Sequence, residues 1–422
     1  MQNDVVRAQP SCEDDYDPAS LTCDEALERI LETVSAVTDT ETLAVRDALG
    51  RVLAEPVISA IDVPSHTNSA MDGYAVRADD LPHRGTKRLK IMGNAFAGKP
   101  YRGQVGRNQT IRIMTGAVVP PETNIVIMQE QVETDGHHIT IDGRHKIGQN
   151  VRAAGEDMVA GSVVLRSGRI IGPAELGLVA SLGIGELSVK RRPRVAFFST
   201  GDELRGVGEK LNIGEIYDSN RYTLHGMLRR LGADIIDMGV VRDERDAVDS
   251  ALVQAAASAD VVITSGGVSV GEADYIKEVL TEIGTIRFWK VAMKPGRPLA
   301  FGTIDGSVFF GLPGNPVSVM VTFYQFVQPA LLAIMGAEQQ PQLLIKALAA
   351  NALKKRPGRV EYQRGFLSTN EAGELIVATA ADQGSGILSS MSNANCFVVL
   401  PMASGHIEAG SPVEVQPFFG IM

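Results

Sequence analysis

The chain has 422 residues, 44% of them hydrophobic and 21% charged. That is an ordinary globular balance, but too long a chain for one ordinary core, so about two to four domains are expected. A formal net charge of −10 argues against broad nucleic-acid binding, which needs a basic surface, without excluding an anionic small substrate held by local basic groups.

The first 20 residues crowd Glu13, Asp14, Asp15 and Asp17 around Tyr16 with little apolar material and read as a disordered acidic tail. No basic, apolar, cleavable pattern opens the chain, so no signal peptide is expected. Cys12, Cys23 and Cys396 are too few and too scattered for a disulfide framework or a structural zinc site. A reducing, cytoplasmic setting fits them best. From 21 to 53 the pattern is helical: Thr22 can cap a helix whose first turn carries Asp24 and Glu25, and Leu27, Ile30, Leu31 and Val34 recur at helical spacing. Between 62 and 157 short alternating runs with many glycines, at 88–92, 110–114, 125–128 and 138–141, read as strands of a small β domain. His137, His138 and His145 surround a Gly-rich polar turn with no second ligand cluster, which reads as a solvated hairpin and not a metal site. A helix is expected at 173–182, with Gly172 before it and Gly183 after it. That segment can rejoin the first helical region, making 21–61 and 158–192 a discontinuous linking domain around an inserted β domain at 62–157.

From 193 to 337 strand and helix alternate. Strands are expected at 195–199, 234–240, 260–264 and 286–291, and helices at 221–231, 246–257 and 275–283. Such alternation implies a mostly parallel, doubly wound sheet with helices on both faces. A hairpin follows, 299–303 and 308–310 about Asp305-Gly306, and then Asn315-Pro316 gives an N-cap and first residue for a long apolar helix. The apolar run 317–335 is broken by Gln325, Gln328 and Pro329, so it reads as a buried or interface helix and not a membrane span. Residues 338–422 are β-patterned and read as a small C-terminal β barrel or sandwich. The fold class is therefore multidomain α/β plus β.

In doubly wound sheets, ligands bind outside the carboxyl ends of the strands. Three such ends deliver carboxylates: Asp202 and Glu203, then Asp243, then Asp274. One also offers Ser265-Gly266-Gly267-Val268-Ser269, whose bare backbone amides can face a phosphate. Carboxylates beside a phosphate site suit Mg²⁺, a hard ion that prefers oxygen ligands, although each could merely cap the helix that follows it. If 290–298 is extended, Lys290 and Lys294 share one face with Arg297 just beyond, which suits phosphate or oxoanion groups; a solvated edge strand is the alternative. Gly311-Leu312-Pro313-Gly314-Asn315-Pro316 brings backbone to the same edge. In the β domain, Asn68–Ala75 and Arg112–Ala117 place polar side chains and a hydroxyl around turns, and Arg152, Glu156 and Asp157 lie near Gly155. On spacing alone, each of these reads as an Asx-type turn.

Together these strings resemble the molybdopterin molybdenumtransferases, the family of bacterial MoeA and the gephyrin E domain. The matching strings are NSAMDGYAV at 68–76, RIMTGA at 112–117, GED at 155–157, FSTGDEL at 198–204 and YDSNR at 217–221. They continue with SGGVSVGEADY at 265–275, KPGRP at 294–298 and GLPGNPVS at 311–318. The resemblance covers nearly the whole chain after the acidic tail, and SGGVSVGEADY followed by GLPGNPVS is its specific part; Arg297 stands where lysine is also common. It implies an elongated four-domain homodimer whose α/β domain is similar to the molybdopterin adenylyltransferase fold. It also implies an active cleft shared between the α/β domain of one subunit and the NSAMDGYAV-bearing domain of the other. The implied reaction takes adenylyl-molybdopterin and molybdate, uses Mg²⁺, and yields molybdenum cofactor and AMP. By resemblance, Glu203, Asp243 and Asp274 fall at the nucleotide and Mg²⁺ end, Lys290 and Lys294 where anionic groups bind, and Asp72 and Thr115 reach in from the partner. Arg152, Asp157, Ser265, Gly266, Gly267, Ser269, Arg297, Pro313, Pro316 and Ser385 are the implied substrate contacts, with Ser385 in the least motif-rich region.

Two rival readings stay open. A molybdopterin adenylyltransferase shares the α/β fold, but needs neither the β domain nor the C-terminal domain. A non-enzymatic gephyrin-like scaffold is the other, although nothing here resembles the long linker joining two modules in such proteins. The implied partners are the two substrates, a second copy of the chain and a molybdopterin adenylyltransferase; neither nucleic acid nor membrane is expected.

Overall fold

The computed structural model describes residues 20–267, 275–380 and 382–418. The chain divides into two compact units, one of residues 42–49 and 55–188, the other of 1–41, 50–54 and 189–422.

The first of these units is built on a six-stranded sheet in the order Ile125–Met128, Gly73–Val76, Gln109–Ile113, Thr86–Ala95, His138–Asp142, Glu133–Thr134. Neighbours run antiparallel except for Thr86–Ala95 and Gln109–Ile113. Alternate side chains go to opposite faces of a strand, and here both faces are covered. Ala75, Ile111, Ile113 and Val126 bury on one side, and Tyr74, Val76, Ile125, Ile127 and Ile139 on the other. The expected strands are all present. The hairpin around Gly136 holds His137 and His138 by their amides on the Asp135 carboxylate. His145 departs from the solvated reading: its side chain is 7% exposed and lies 3.6 Å from Asp142. Helix Pro173–Ser181 starts with proline in its first turn, and the Gly172 amide donates to the Glu175 carboxylate.

In the second unit, helix Cys23–Thr33 begins with a reciprocal capping box between Thr22 and Glu25 and buries Ala26 and Ile30. The helical reading of 21–53 fails beyond it. Val34 is already extended, the Val37 amide bonds to the Ile334 carbonyl, and Thr40–Ala44 is a strand. Val37, Thr38, Thr40 and Thr42 are β-branched, and such residues prefer extended backbone.

The unit's main sheet runs Asp234–Val241, Arg194–Thr200, Val261–Ser265, Ser307–Leu312, Pro298–Ile304, Gly284–Lys290. The first four strands are parallel, Pro298–Ile304 runs against them, and Gly284–Lys290 pairs antiparallel with Pro298–Ile304. Buried parallel strands should be continuously apolar, and VAFF at 195–198 obeys. Phe197 packs into one core with Ile263 and Phe310, and Phe198 into the other with Val262 and Phe309. Helices Ser219–Leu231, Arg245–Ser258 and Tyr275–Ile283 accompany the strands. The first begins two residues before its expected start, because Asp218 caps it by accepting from the Arg221 amide. The hairpin turns on Asp305 and Gly306, both with positive φ, as a tight two-residue connection requires. Arg191 makes two bonds to Asp260 and a third to Asp39, which ties the N-terminal segment to the start of strand Val261–Ser265.

The long helix is Pro316–Thr322, a π turn at Phe323–Val327 and Gln328–Ile334. It is long and apolar enough to cross a membrane by composition, yet 72% of it is buried inside the fold, as a core helix should be. Strands Ile345–Ala349, Val360–Thr369, Leu375–Thr379, Cys396–Leu400 and Pro412–Pro417 follow. Val360–Thr369 also pairs with Cys396–Leu400, which closes them into a small barrel.

Candidate active site

The parallel register aligns the carboxyl ends of the main sheet: Ser199 stands beside Ser265, Thr200 beside Val241, and Ser265 beside Leu312. Everything beyond those residues therefore emerges at one edge. The Gly266 amide donates to the Leu312 carbonyl, and the buried Asn220 side chain donates both to Ser265 Oγ at 2.9 Å and to the Gly314 carbonyl at 2.7 Å. One amide thus joins three separated strings, YDSNR, SGG and GLPGNP. Spacing alone does not mark Asn220, since its partners lie 45 and 94 residues away.

Gly266 and Gly267 both have positive φ, and a Cβ on Gly266 would lie 2.5 Å from the Thr200 carbonyl oxygen. Only glycine fits so close an approach. Ser199 Oγ, Thr200 Oγ1, Thr264 Oγ1 and Asp218 Oδ2 are buried here with no hydrogen-bond partner among the described residues. Pro313 is buried and Pro316 opens the long helix. Ser385 joins the same place from the C-terminal region, its carbonyl accepting from the Val317 amide. The loop carrying it is held by Arg364, which is 1% exposed and donates to Ser390 Oγ and the Gly384 carbonyl.

On the acidic side, burial and then the neighbouring Asp202 and Glu203 carboxylates push the Asp243 carboxyl up. A raised carboxyl among carboxylates marks negative charge without compensation, which a hard cation with oxygen ligands would relieve. Glu203 and Asp243 are oxygen donors of the kind a hard cation takes. Among the described residues no three His, Cys, Asp or Glu side chains are set as a ligand group; Asp274 and Ser269 lie outside the described residues.

The basic side corrects one expectation. Residues 290–298 are not a single extended run with both lysines on one face. Lys290 ends strand Gly284–Lys290 and pairs with Pro298 in the main sheet. Lys294 belongs to the short strand Met293–Lys294, which pairs with the barrel at Val360 and Glu361. The bend between them changes sheets, so side-chain alternation does not carry across it. Arg297 is 8% exposed, and its carbonyl accepts from the Val291 amide. Nor is Lys294 a bare edge residue: its ammonium lies 3.5 Å from the Glu361 carboxylate. No local pattern in the sequence points to Glu361 or Arg364, because both meet the site through strand pairing and loop packing far along the chain.

In the other unit, the strings NSAMDGYAV and RIMTGA do meet. Asp72 Oδ1 accepts from the Thr115 amide at 2.7 Å and the Thr115 hydroxyl at 2.8 Å. Those two bonds, with Arg112 nearby, hold the exposed Asp72 carboxyl below its usual value. A Cβ on Gly73 would meet the Ile127 carbonyl oxygen at 2.0 Å, so glycine is required immediately after Asp72. Arg152 pairs with Asn68 across two short strands, and the Asp157 amide donates to the Val63 carbonyl.

An α/β sheet edge with carboxylates, a Gly-Gly turn and lysines, attached to a small closed barrel, has the groups that a protein handling phosphate or oxoanion ligands uses. Residues 196–333 match the description "Probable molybdopterin binding domain". Residues 21–183 match the MoeA N-terminal region (domains I and II), and 346–418 the MoeA C-terminal region (domain IV). A molybdopterin molybdenumtransferase of Haemophilus influenzae is 46% identical over 94% of this chain and 98% of its own. A gephyrin of Dictyostelium discoideum is 33% identical over 93% of this chain and 61% of its own. The crystal structure of a molybdopterin biosynthesis moeA protein from Pyrococcus horikoshii superposes with a TM-score of 0.81 at 31% identity, covering 94% of this chain and 100% of that one. The chain belongs to the MoeA family of molybdopterin molybdenumtransferases.

Proposed function

We propose that this chain inserts molybdate into adenylyl-molybdopterin with release of AMP, in the cytoplasm and with Mg²⁺. The observation that supports this most directly is the union of the Gly266-Gly267 turn, Asn220 and the Leu312–Gly314 loop at one edge of the sheet. A curated relative of this activity matches nearly the whole chain.

In this reading, the turn and the adjoining loop backbone receive the phosphates, with Ser265, Pro313, Pro316 and Ser385 forming the walls. Lys290, Lys294 and Arg297 offset negative charge on phosphate and molybdate, and their attraction is greatest where charge builds up in the transition state. Glu203 and Asp243, with Asp274, would hold Mg²⁺, which supplies charge neutralisation on the phosphoanhydride. The carboxylates also orient the oxygen that attacks the phosphoanhydride, AMP being the leaving group. Asp72 and Thr115, with Arg152 and Asp157, complete the cleft from the partner subunit of a homodimer. Residues 21–61 with 158–192, 62–157, 193–337 and 338–422 act as its four domains. A molybdopterin adenylyltransferase, which makes the adenylylated substrate, is the partner whose product this chain consumes.

AMP release followed against Mg²⁺ concentration tests the acidic side. Asp243→Asn keeps shape and removes charge, so it should need far more Mg²⁺ for half-maximal rate. An unchanged Mg²⁺ dependence at near-normal rate would exclude the metal role.

A further inference from the structure

We propose that Glu361, on the C-terminal barrel, is the resting partner of the Lys294 ammonium and competes with the substrate anion for it, making Glu361 a positioning residue for the reaction. This rests on the reading of Lys294 as an anion-binding group.

The two halves of this ion pair are held very differently. The Glu361 side chain is 7% exposed and the Lys294 side chain 56%. The carboxylate cannot easily move. Its Oε2 accepts at 3.0 Å from Gln363 Nε2, which also donates to the Lys354 carbonyl at 2.9 Å. The backbone under it is pinned as well, because the Val360 amide donates to the Ala292 carbonyl and Glu361 pairs with Lys294 in parallel register. A second, buried ammonium reinforces the arrangement. Lys355 Nζ donates to the carbonyls of Arg356, Met402 and Ser404. Burial lowers its pKa, with the Glu361 charge opposing that shift and the Lys294 charge adding to it. Glu361 is thus a buried, hydrogen-bonded carboxylate facing an exposed ammonium.

An exposed ammonium beside a buried carboxylate has two negative partners to choose from once a phosphate or molybdate oxygen arrives. The carboxylate is negative like the ligand, so it both holds the ammonium back and repels the anion. Its removal should therefore tighten anion binding, whereas a residue that merely supports the fold would leave affinity unchanged or weaken it. In Glu361→Gln the amide oxygen can still accept from Gln363, so the barrel strand keeps its packing. A half-exposed pair of this kind is a weak one, and the release of its restraint corresponds to about a 1.5- to fivefold gain in affinity.

The test is calorimetric titration of the full-length protein with inorganic phosphate and, separately, molybdate, in wild type, Glu361→Gln, Lys294→Met and the double variant. The proposal expects Glu361→Gln to bind one of these anions about 1.5- to fivefold more tightly, Lys294→Met to bind it more weakly, and the gain to vanish in the Lys294→Met background. Unchanged or weaker binding in Glu361→Gln, or a gain that survives without Lys294, overturns the resting-partner role while leaving Lys294 an anion ligand. If Lys294→Met alone changes neither affinity, the anion-binding reading of Lys294 itself fails. A Glu361→Gln protein with a lowered melting temperature and uniformly weakened binding assigns the carboxylate to barrel stability and also overturns the proposal.

Discussion

Replacing Gly266 by alanine should damage this protein far more than the same change at Gly314, which faces the same turn. Gly266 has a φ of +89°, and its added Cβ would lie 2.5 Å from the Thr200 carbonyl oxygen and 3.3 Å from Thr200 Oγ1. Holding a residue with a Cβ in a left-handed conformation costs about 1–3 kcal/mol, and forcing a methyl into a packed site costs about another 1–3 kcal/mol. The obstructing atom is backbone, and Thr200 cannot retreat without loosening its pairing with Val241 and that of Ser199 with Ser265. A total of about 2–6 kcal/mol is a large share of the ~5–15 kcal/mol stability of a typical domain. At Gly314 φ is not left-handed, and the nearest atom to a Cβ would be the Gly266 Cα at 3.9 Å; the expected change there is within about 0.5 kcal/mol. Urea unfolding can be followed by the single tryptophan, Trp289, which lies in strand Gly284–Lys290 of the same sheet. A Gly266→Ala protein within about 1 kcal/mol of wild type, or a Gly314→Ala protein equally unstable, would refute the steric account of the turn.

Lys294→Ala should weaken anion binding about ten- to a hundredfold, the range for losing a hydrogen bond to a charged group. If the lost contact is to phosphate, affinity for adenylyl-molybdopterin falls and added molybdate rescues nothing; normal affinity for both ligands would show that Lys294 binds neither. Burial raises the Asp260 carboxyl, but the bonds from Arg191 and the Arg194 amide outweigh it and hold it below its usual value. The stability this carboxylate contributes is therefore present above the unfolded-state value and lost as pH falls through the depressed one. Asp260→Asn should be less stable than wild type near neutrality, with the gap closing in acid; a gap independent of pH would contradict the ion-pair account. Asp72→Ala and Glu203→Ala should each be inactive. Subunit exchange between them should restore one working site of the two in each mixed dimer, and mixtures that stay inactive after verified exchange would place the cleft within one subunit.

Much of the α/β domain was legible because its information is local. Continuous apolar runs mark buried parallel strands, and Asp305-Gly306 sits where two positive φ values are needed. The carboxyl-edge rule points to Glu203, Asp243 and the Gly266-Gly267 turn from the chain alone. What was not legible depends on pairing between distant segments. Residues 34–53 carry apolar residues at helical intervals, but Val37 is claimed by the Ile334 carbonyl. Lys290 and Lys294 look like two positions on one strand until Met293–Lys294 leaves the main sheet for the barrel. Glu361 and Arg364 lie within an ordinary alternating strand, and their roles depend on what Met293–Lys294 and the Gly384–Ser390 loop bring against them.

The reaction itself can be tested in one measurement. Purified protein is incubated with adenylyl-molybdopterin, Mg²⁺ and molybdate, and AMP released is counted against molybdenum bound to molybdopterin. The account predicts AMP and molybdenum cofactor in equal amounts, with both lost in Glu203→Ala. AMP release without molybdenum incorporation, or synthesis of adenylyl-molybdopterin from ATP and molybdopterin in its place, would contradict it.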